Sequence, residues 1–255
     1  MRAAAAAFRM QLSLAVRTPN YWMVVISTPP QVILFLSVVD AFDRPDLVTN
    51  ALMAPILMNM WSASLWTGGA VMRDDRWLGL LEIHAASPQP YGLIVASRVA
   101  AVILLSLLVI PVTLLTAVLT YGVDVEVRNL EILTSTLTVT ALAIVGTGIV
   151  FSSMTILSRA AVTFQAAASY PFLLLGGVFV PLELLPEWVQ PFGRLVFLSW
   201  SSDLMRDSVT ELVVENALAR LGVVVVLGLL GFAAGLWLIR VILDKVRGTG
   251  EISTI

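Results

Sequence analysis

The chain has no cysteine, a single histidine and a single lysine among its 255 residues. Without cysteine it has no disulfide framework and no thiol nucleophile. His84 lies in no His-Glu-x-x-His pattern, and Lys245 lacks the upstream glycines of a phosphate-binding loop. A Gly-x-Ser-x-Gly nucleophile motif is also missing. The sequence therefore predicts no catalytic residue, no metal site and no cofactor bound by this chain.

Charged residues are scarce as well, at 13% of the chain, where soluble proteins have roughly 25%. Apolar residues make up 58%, and the mean hydropathy is +0.93. A helix needs about 20 mostly apolar residues to cross the hydrocarbon layer. Six stretches are long enough: 21–39, 47–72, 93–121, 132–157, 161–180 and 221–239. The predicted fold is an all-α polytopic membrane protein with six transmembrane helices in one domain, residues 1–255.

Inside these six stretches the only Asp, Glu, Lys, Arg or His is Arg98, near one end of the third. An ion-coupled transporter usually carries an ionisable or ion-binding group near mid-membrane. The longest segment between the stretches, 181–220, is too short to be a nucleotide-binding domain. The sequence therefore indicates a protein that is passive or that is driven by a separate ATPase subunit.

The distribution of basic residues predicts the orientation. If the amino terminus is cytoplasmic, ten of the 15 Lys and Arg residues fall inside, while 12 of the 17 Asp and Glu residues fall outside. Basic residues favour cytoplasmic loops, so both termini are predicted to be cytoplasmic. The overall net charge of −2 conceals this asymmetry and gives no sign of a nucleic-acid partner.

Residues 1–18 have the pattern of an amphipathic helix that lies in the membrane interface. Helical spacing puts polar residues on one stripe and apolar residues on another, namely Arg9, Ser13 and Arg17 against Phe8, Leu12 and Ala15. An ordinary cytoplasmic tail is the alternative interpretation.

Two motifs carry a family resemblance. The cytoplasmic segment 73–92 contains Asp75, Arg76, Gly79, Leu81, Glu82, Ser87 and Pro88, and Arg98 follows in the third stretch. After the fifth stretch come Gly177, Phe179, Pro181, Leu185, Pro186 and Trp188, and later Asp203, Leu204, Met205 and Arg206. Over nearly its whole length the chain resembles the six-helix permease subunit of ABC-2 type transporters, the class that includes daunorubicin-resistance permeases and nodulation-factor exporters.

The resemblance implies an ABC-2 exporter fold in the bacterial inner membrane. Its partners are then a second permease subunit, identical or different, which meets this one through the first and fifth spans, and a dimer of ATPase subunits that holds ATP and Mg. The resemblance also implies a coupling helix that rests on the ATPase, formed by Asp75, Arg76, Trp77, Gly79, Leu81 and Glu82. A solvated interfacial helix with a tryptophan anchor is the alternative.

In the resembling family, short extracellular helices after the fifth span close the outer end of the pathway. Residues 181–220 are accordingly predicted to be an extracellular or re-entrant helical segment. The gate candidates are Phe179, Pro181, Pro186 and Trp188. The alternative is a merely amphipathic outer loop with a residue of the aromatic belt.

Polar residues that share a face of a span suggest the pathway itself. Asn59, Ser62 and Trp66 lie at i, i+3 and i+7 in the second stretch, and Gln165 and Ser169 share a face of the fifth, with Tyr170 nearby. Such a mixed lining suits an amphiphilic cargo. Alternatively, these polar side chains hold neighbouring helices together.

The function these patterns predict is a permease that exports an amphiphilic small molecule, a lipid-like compound or a peptide, driven by the ATPase subunit. A carrier that works without an ATPase, passive or ion-coupled, is the main alternative, and a membrane scaffold is a weaker one. A polysaccharide or glycolipid exporter is an alternative within the same family.

Overall fold

The computed structural model describes residues 2–86, 90–123, 127–158 and 160–249, and throughout these residues the regular structure is helical. The α-helices are α1 (Arg2–Arg17), α2 (Pro19–Ala41), α3 (Val48–Ser62), α4 (Val71–Trp77), α5 (Leu80–Ala86), α6 (Tyr91–Ser106), α7 (Val109–Tyr121), α8 (Leu130–Leu157), α9 (Ala161–Leu175), α10 (Gln190–Gly193), α11 (Phe197–Thr210) and α12 (Ala217–Thr249). Short 3₁₀-helices span Pro45–Leu47 and Leu182–Leu184, and a π-helical segment spans Ala63–Gly68. The all-α prediction is confirmed.

Four helical stretches of the described residues are long and apolar enough to cross a membrane. They are Trp22–Ala41, Tyr91–Tyr121, Leu130–Leu157 and Ala217–Val246. The predicted second span is helical too, because α3 continues directly into the π-helical segment Ala63–Gly68. The predicted fifth span contains the shorter apolar helix α9, with 15 residues. The chain is thus a multi-pass membrane protein, while six spans and cytoplasmic termini stay predictions.

Pro111 predicts a kink in the third span, because proline has no backbone N–H to continue the helical ladder. The structure confirms a break one turn earlier, where α6 ends at Ser106 and α7 begins at Val109. The carbonyl of Leu107, which Pro111 cannot reach with a hydrogen bond, accepts instead from the N–H of Ile110 at 3.0 Å. The helix of this span is therefore interrupted at Leu107 and Leu108.

Helix α8 lies at the centre of the fold and packs along α12, α11 and α6. Small residues bring α8 and α12 close together: a Cβ added at Gly228 would lie 2.7 Å from Ala143 Cβ, and one at Gly235 would lie 2.8 Å from Ile149 Cγ2. The glycine stripe of the last span therefore packs within this subunit, as close helix contacts in membranes require.

Helix α1 packs along α6. Its buried positions are Ala7, Gln11 and Ala15, whereas the predicted polar stripe of Arg9, Ser13 and Arg17 is exposed. Gln11 is the unexpected member of this face, because the other two buried residues are alanines. It marks the place where α1 meets the charged segment described next.

Candidate functional site

A buried ion pair joins the charged segment that follows the second span to the third span. Asp75 of α4 is 1% exposed, and its Oδ1 accepts a hydrogen bond from Arg98 Nη1 of α6 at 2.6 Å. Its Oδ2 accepts from the Tyr91 hydroxyl at 2.8 Å, and Arg98 Nε donates to Gln11 Oε1 at 2.9 Å. These four side chains, here called the inner network, join α1, α4 and α6.

The predicted coupling residues differ in exposure, and their coupling role stays a prediction. Asp75 and Leu81 are buried inside the chain. Arg76 is half-buried, and its Nη1 donates to the carbonyl of Ile156, near the carboxyl end of α8, at 3.4 Å. The side chain of Glu82 lies outside the described residues, as do Ser87 and Pro88.

Besides the exposed Asp74, the segment presents large apolar side chains to its surroundings. Trp77 is 85% exposed and Leu78 is 72% exposed, and Ile83 of α5 is exposed beside them in sequence. Large exposed apolar residues that are grouped together mark interaction sites. Trp77, Leu78 and Ile83 are called the foot below. Partial burial raises the pKa of the neighbouring Asp74 above its ordinary value.

Gly79 makes the turn between α4 and α5 that presents the foot. Its φ of +65° is in the left-handed region that residues with a Cβ rarely adopt. We expect Gly79→Ala to destabilise the protein by about 1 kcal/mol. Thermal unfolding in detergent measures this change, with Gly222→Ala as control, because Gly222 lies in α12 with open space around its Cβ. Equal melting temperatures for the two variants would contradict the assignment.

An uncharged pocket of about 440 Å³ lies between α2, α3, the π-helical segment and α9. Five of the six predicted pathway residues line it: Asn59, Ser62, Trp66, Ser169 and Tyr170. Met23, Gln31, Met58 and Trp61 also contribute to the wall. Its open side is formed by exposed Met23, Trp66 and Tyr170. The predicted residues of the second and fifth stretches thus line one pocket, and their role as a pathway stays a prediction.

Hydrogen bonds and ring contacts fix the wall of this pocket. Asn59 Nδ2 donates to Gln31 Oε1 at 2.9 Å, and Trp61 Nε1 donates to Ser169 Oγ at 3.1 Å. The Trp61 ring stacks on Phe172 with 5.4 Å between centroids. Several polar groups of the wall therefore also hold helices together, which is the alternative role that the sequence left open.

Gln165 is the pathway candidate that does not line the pocket. It is buried, and its Nε2 donates to the carbonyl of Phe151 at 3.2 Å. This bond ties α9 to α8. Gln165 therefore connects two helices. Because Gln165 and Ser169 share a helical face, the sequence could not tell a residue that connects helices from one that lines the pocket.

An aromatic pair lies beyond the pocket along α2. Phe35 follows Gln31 by four residues, on the same helical face, and it stacks on Phe179 with 6.5 Å between ring centroids and 20° between planes. The carbonyl of Phe179 accepts from Asn50 Nδ2 at 3.1 Å. Asn50 precedes Asn59 by nine residues of α3, or about 13 Å of helix. The pair therefore lies between the uncharged pocket and the amino-terminal end of α3.

A charged pocket of about 530 Å³, here called the vestibule, lies at that end of α3. Arg206 of α11 donates to Asn50 Oδ1 at 2.8 Å and to the carbonyl of Gly177 at 2.9 Å, and it forms an ion pair with Asp203. Asp203 also pairs with Arg194 at 2.6 Å. Arg206 thus binds a carbonyl just beyond the carboxyl end of α9, where a cation is favoured.

The remaining gate candidates divide between two environments. Pro181 lines the vestibule, whereas Pro186 and Trp188 are exposed, Trp188 to 75%, and line neither pocket. Only Phe179 and Pro181 therefore lie next to the boundary between the pockets. Sequence reasoning missed Phe35 and Asn50, because an apolar residue and an asparagine inside apolar stretches carry no distinguishing pattern.

Residues 3–210 match the family model described as ABC-2 type transporter. The chain belongs to the ABC-2 type transporter family. The predicted identity as an ABC-2 permease is thereby confirmed, whereas the daunorubicin-resistance or nodulation-factor subtype stays a prediction. A search of curated proteins finds no match to the chain.

The family match covers all the helices of this ABC-2 permease that form the inner network, the foot and the uncharged pocket. Of the described lining residues of the vestibule it leaves out only Arg220, which lies in α12. It begins in α1, which carries Gln11 of the inner network, and it ends at Thr210, the last residue of α11. Members of this family are membrane subunits of transporters. Export through the membrane is thus the function of this permease.

Proposed function

We propose that this ABC-2 permease is the membrane subunit of an ATP-driven exporter in the bacterial inner membrane. Its cargo is an amphiphilic small molecule, a lipid-like compound or a peptide. The observation that carries this proposal is the uncharged pocket between α2, α3 and α9, whose wall combines aromatic rings, methionines and weakly polar groups. The chain itself binds no cofactor, and ATP and Mg are held by a separate dimer of ATPase subunits.

The chemistry of the pocket supports an amphiphilic cargo. Rings such as those of Trp66 and Tyr170 offer large apolar contact area together with a polar edge. Amide and hydroxyl groups such as those of Asn59 and Ser62 supply a few hydrogen bonds for orientation. Among the residues that the structure describes, no charged side chain lines the pocket, so an ionised cargo would lose hydration without gaining a counter-charge.

The position of the pocket supports a second permease subunit, either identical or different. In the resembling family two permeases meet through the first and fifth spans, which correspond here to α2 and α9. Met23 and Tyr170 are exposed on these helices at the open side of the pocket. Two such pockets facing each other would enclose one pathway between the subunits, closed laterally to lipid.

Coupling to the ATPase is proposed to occur through the foot. Trp77 and Leu78 dock on the ATPase, Gly79 sets the turn that presents them, and Arg76 and Glu82 contribute polar contacts. Asp75 acts inside the protein: because it binds Arg98, a displacement of α4 moves α6 with it. Rigid displacement of linked helices is a known way to convert domain closure into motion of a membrane span.

The outer gate is proposed to be the stacked pair Phe35 and Phe179, with Pro181 and the exposed Pro186 and Trp188 in the loop beyond. The pair lies between the uncharged pocket and the vestibule, and Asn50 and Arg206 hold the backbone around it. Parting of the two rings opens the pocket to the outside, while stacking keeps it closed.

Trp66→Ala and Tyr170→Ala test the cargo site. Each change removes an aromatic wall of the pocket, and we expect export of a fluorescent lipophilic amphiphile to fall about tenfold, because loss of one large apolar contact weakens binding by at least this factor. ATP-dependent export from loaded cells measures the effect. Trp237→Ala is the control, since Trp237 is exposed on α12 and lines no pocket described above.

Two results would contradict this proposal. One is export by both pocket variants at the rate of the unchanged protein. The other is an equal loss in Trp237→Ala, which would assign the effect to aromatic residues on the membrane surface in general.

A further inference from the structure

A narrow groove of about 270 Å³ lies between α6 and α12, away from the pocket and the vestibule. Its wall includes Leu93 and Ala96 of α6 and Phe232 and Leu236 of α12, and Arg240 is the one charged residue among its described lining residues. An apolar groove with one cation at its edge suits an amphiphile that has a negative head group.

The walls of this groove are fixed by close contacts. Helices α6 and α12 touch at Gly92, where an added Cβ would lie 2.9 Å from Leu236 Cδ2. Tyr91, which also lines the groove, is held by its hydrogen bond to Asp75 and by stacking with His84 at 4.8 Å between ring centroids. Contacts on both helices thus define the walls of the groove.

The groove is short enough to lie within one leaflet of a bilayer. From Phe232 to Arg240 the lining residues of α12 span about 12 Å of helix, and half of a hydrocarbon core is about 15 Å. Arg240 lies toward the end where the chain becomes charged, with Asp244 and Lys245 following. An acyl chain in the groove therefore extends inward from a head group at Arg240.

Charge complementarity selects the head group. Arg240 is exposed, and among the described residues no carboxylate forms an ion pair with it. A guanidinium presents several N–H donors in a planar fork that matches a phosphate. Residues 240, 245 and 247 are basic and fall on the predicted cytoplasmic side, where bacterial and other membranes expose anionic lipids.

We propose that this groove is a binding site for one anionic phospholipid of the inner leaflet, with an acyl chain between α6 and α12 and the phosphate on Arg240. Because Tyr91 forms part of the wall and also holds Asp75, a bound lipid packs against the inner network. The site adds a lipid ligand to the permease, and its existence does not depend on the identity of the cargo.

Native mass spectrometry of the purified full chain tests the proposal, with phosphatidylglycerol and phosphatidylcholine of the same acyl chains as probes. We expect phosphatidylglycerol to bind in preference to phosphatidylcholine. Arg240→Gln should weaken phosphatidylglycerol binding about fivefold, the usual effect of one basic residue at an anionic lipid. Arg240→Lys should retain most of the binding. Arg128→Gln should leave it unchanged, because Arg128 is exposed on the predicted outer side.

Each alternative outcome overturns the proposal. Equal binding of the two lipids would show that the head-group charge is not recognised. An equal effect of Arg240→Gln and Arg128→Gln would show only a general dependence on surface charge. Unchanged binding in Arg240→Gln would place the lipid elsewhere, and size-exclusion chromatography of each variant establishes beforehand that it is folded and monodisperse.

Discussion

Asp75→Asn is expected to destabilise the permease by about 3 to 5 kcal/mol, because removal of one partner leaves the charge of Arg98 buried without a counter-charge. The side chains of Asp75 and Arg98 are only 2% and 9% exposed, so water screens their interaction little. Asparagine has nearly the same size as aspartate, which keeps the packing of α4 against α6 intact. The loss therefore reports the electrostatic contribution of the inner network.

Unfolding in detergent, followed by circular dichroism over a denaturant series, measures this change. Asp46→Asn is the matched control. Asp46 also pairs with an arginine, Arg44, at 2.7 Å, but both side chains are at least half exposed, and we expect no measurable effect because exposed ion pairs contribute little. Similar stabilities of Asp75→Asn and Asp46→Asn would contradict the burial of the network.

A double substitution separates the interaction energy of the ion pair from the cost of leaving one charge buried alone. Asp75→Leu combined with Arg98→Leu removes both charges, and we expect it to be less destabilising than the sum of the single changes, since no charge is left unpaired. Additive effects would mean that the two side chains do not interact.

Periodicity predicted much of the molecule. Apolar stretches predicted where the helices lie, Pro111 predicted the break between α6 and α7, and helical spacing placed Asn59, Ser62 and Trp66 on the face that lines a pocket. These properties depend on short-range regularities, and a helix expresses such regularities directly in its faces.

Long-range contacts account for what the sequence did not reveal. Asp75 belongs to a charged segment and for that reason looks exposed, but its burial depends on Gln11 and Arg98, which are distant along the chain. The aromatic gate needs Phe35 to meet Phe179, 144 residues later. No local pattern specifies either encounter, since each arises only when the helices pack.

Substitution of the foot is expected to weaken the complex between the permease and the ATPase strongly. Among the described residues of the segment predicted to be cytoplasmic, Trp77 and Leu78 are the most exposed apolar residues. Burial of two such side chains against a partner stabilises a complex by about 3 kcal/mol or more, and tryptophan is the residue most enriched among interface hot spots. Trp77→Ala combined with Leu78→Ala should therefore weaken the complex with the ATPase about a hundredfold.

The chain also provides a matched control for this double change. Leu184 and Trp188 are likewise an exposed leucine and tryptophan, 59% and 75% exposed, but they lie in the segment predicted to be extracellular. Leu184→Ala combined with Trp188→Ala removes the same types of side chain from the other side of the membrane. Insertion and folding are compared in both variants by expression level and thermal unfolding.

The central claim is that the permease is a pathway driven by a separate ATPase that docks on the foot. Its most direct test is purification in mild detergent from the cells that produce it, followed by measurement of ATP hydrolysis per permease. We predict that hydrolysis accompanies the unchanged protein and the Leu184 and Trp188 variant, and that it is lost from the Trp77 and Leu78 variant. Equal hydrolysis in all three preparations, or none with the unchanged protein, would contradict the claim.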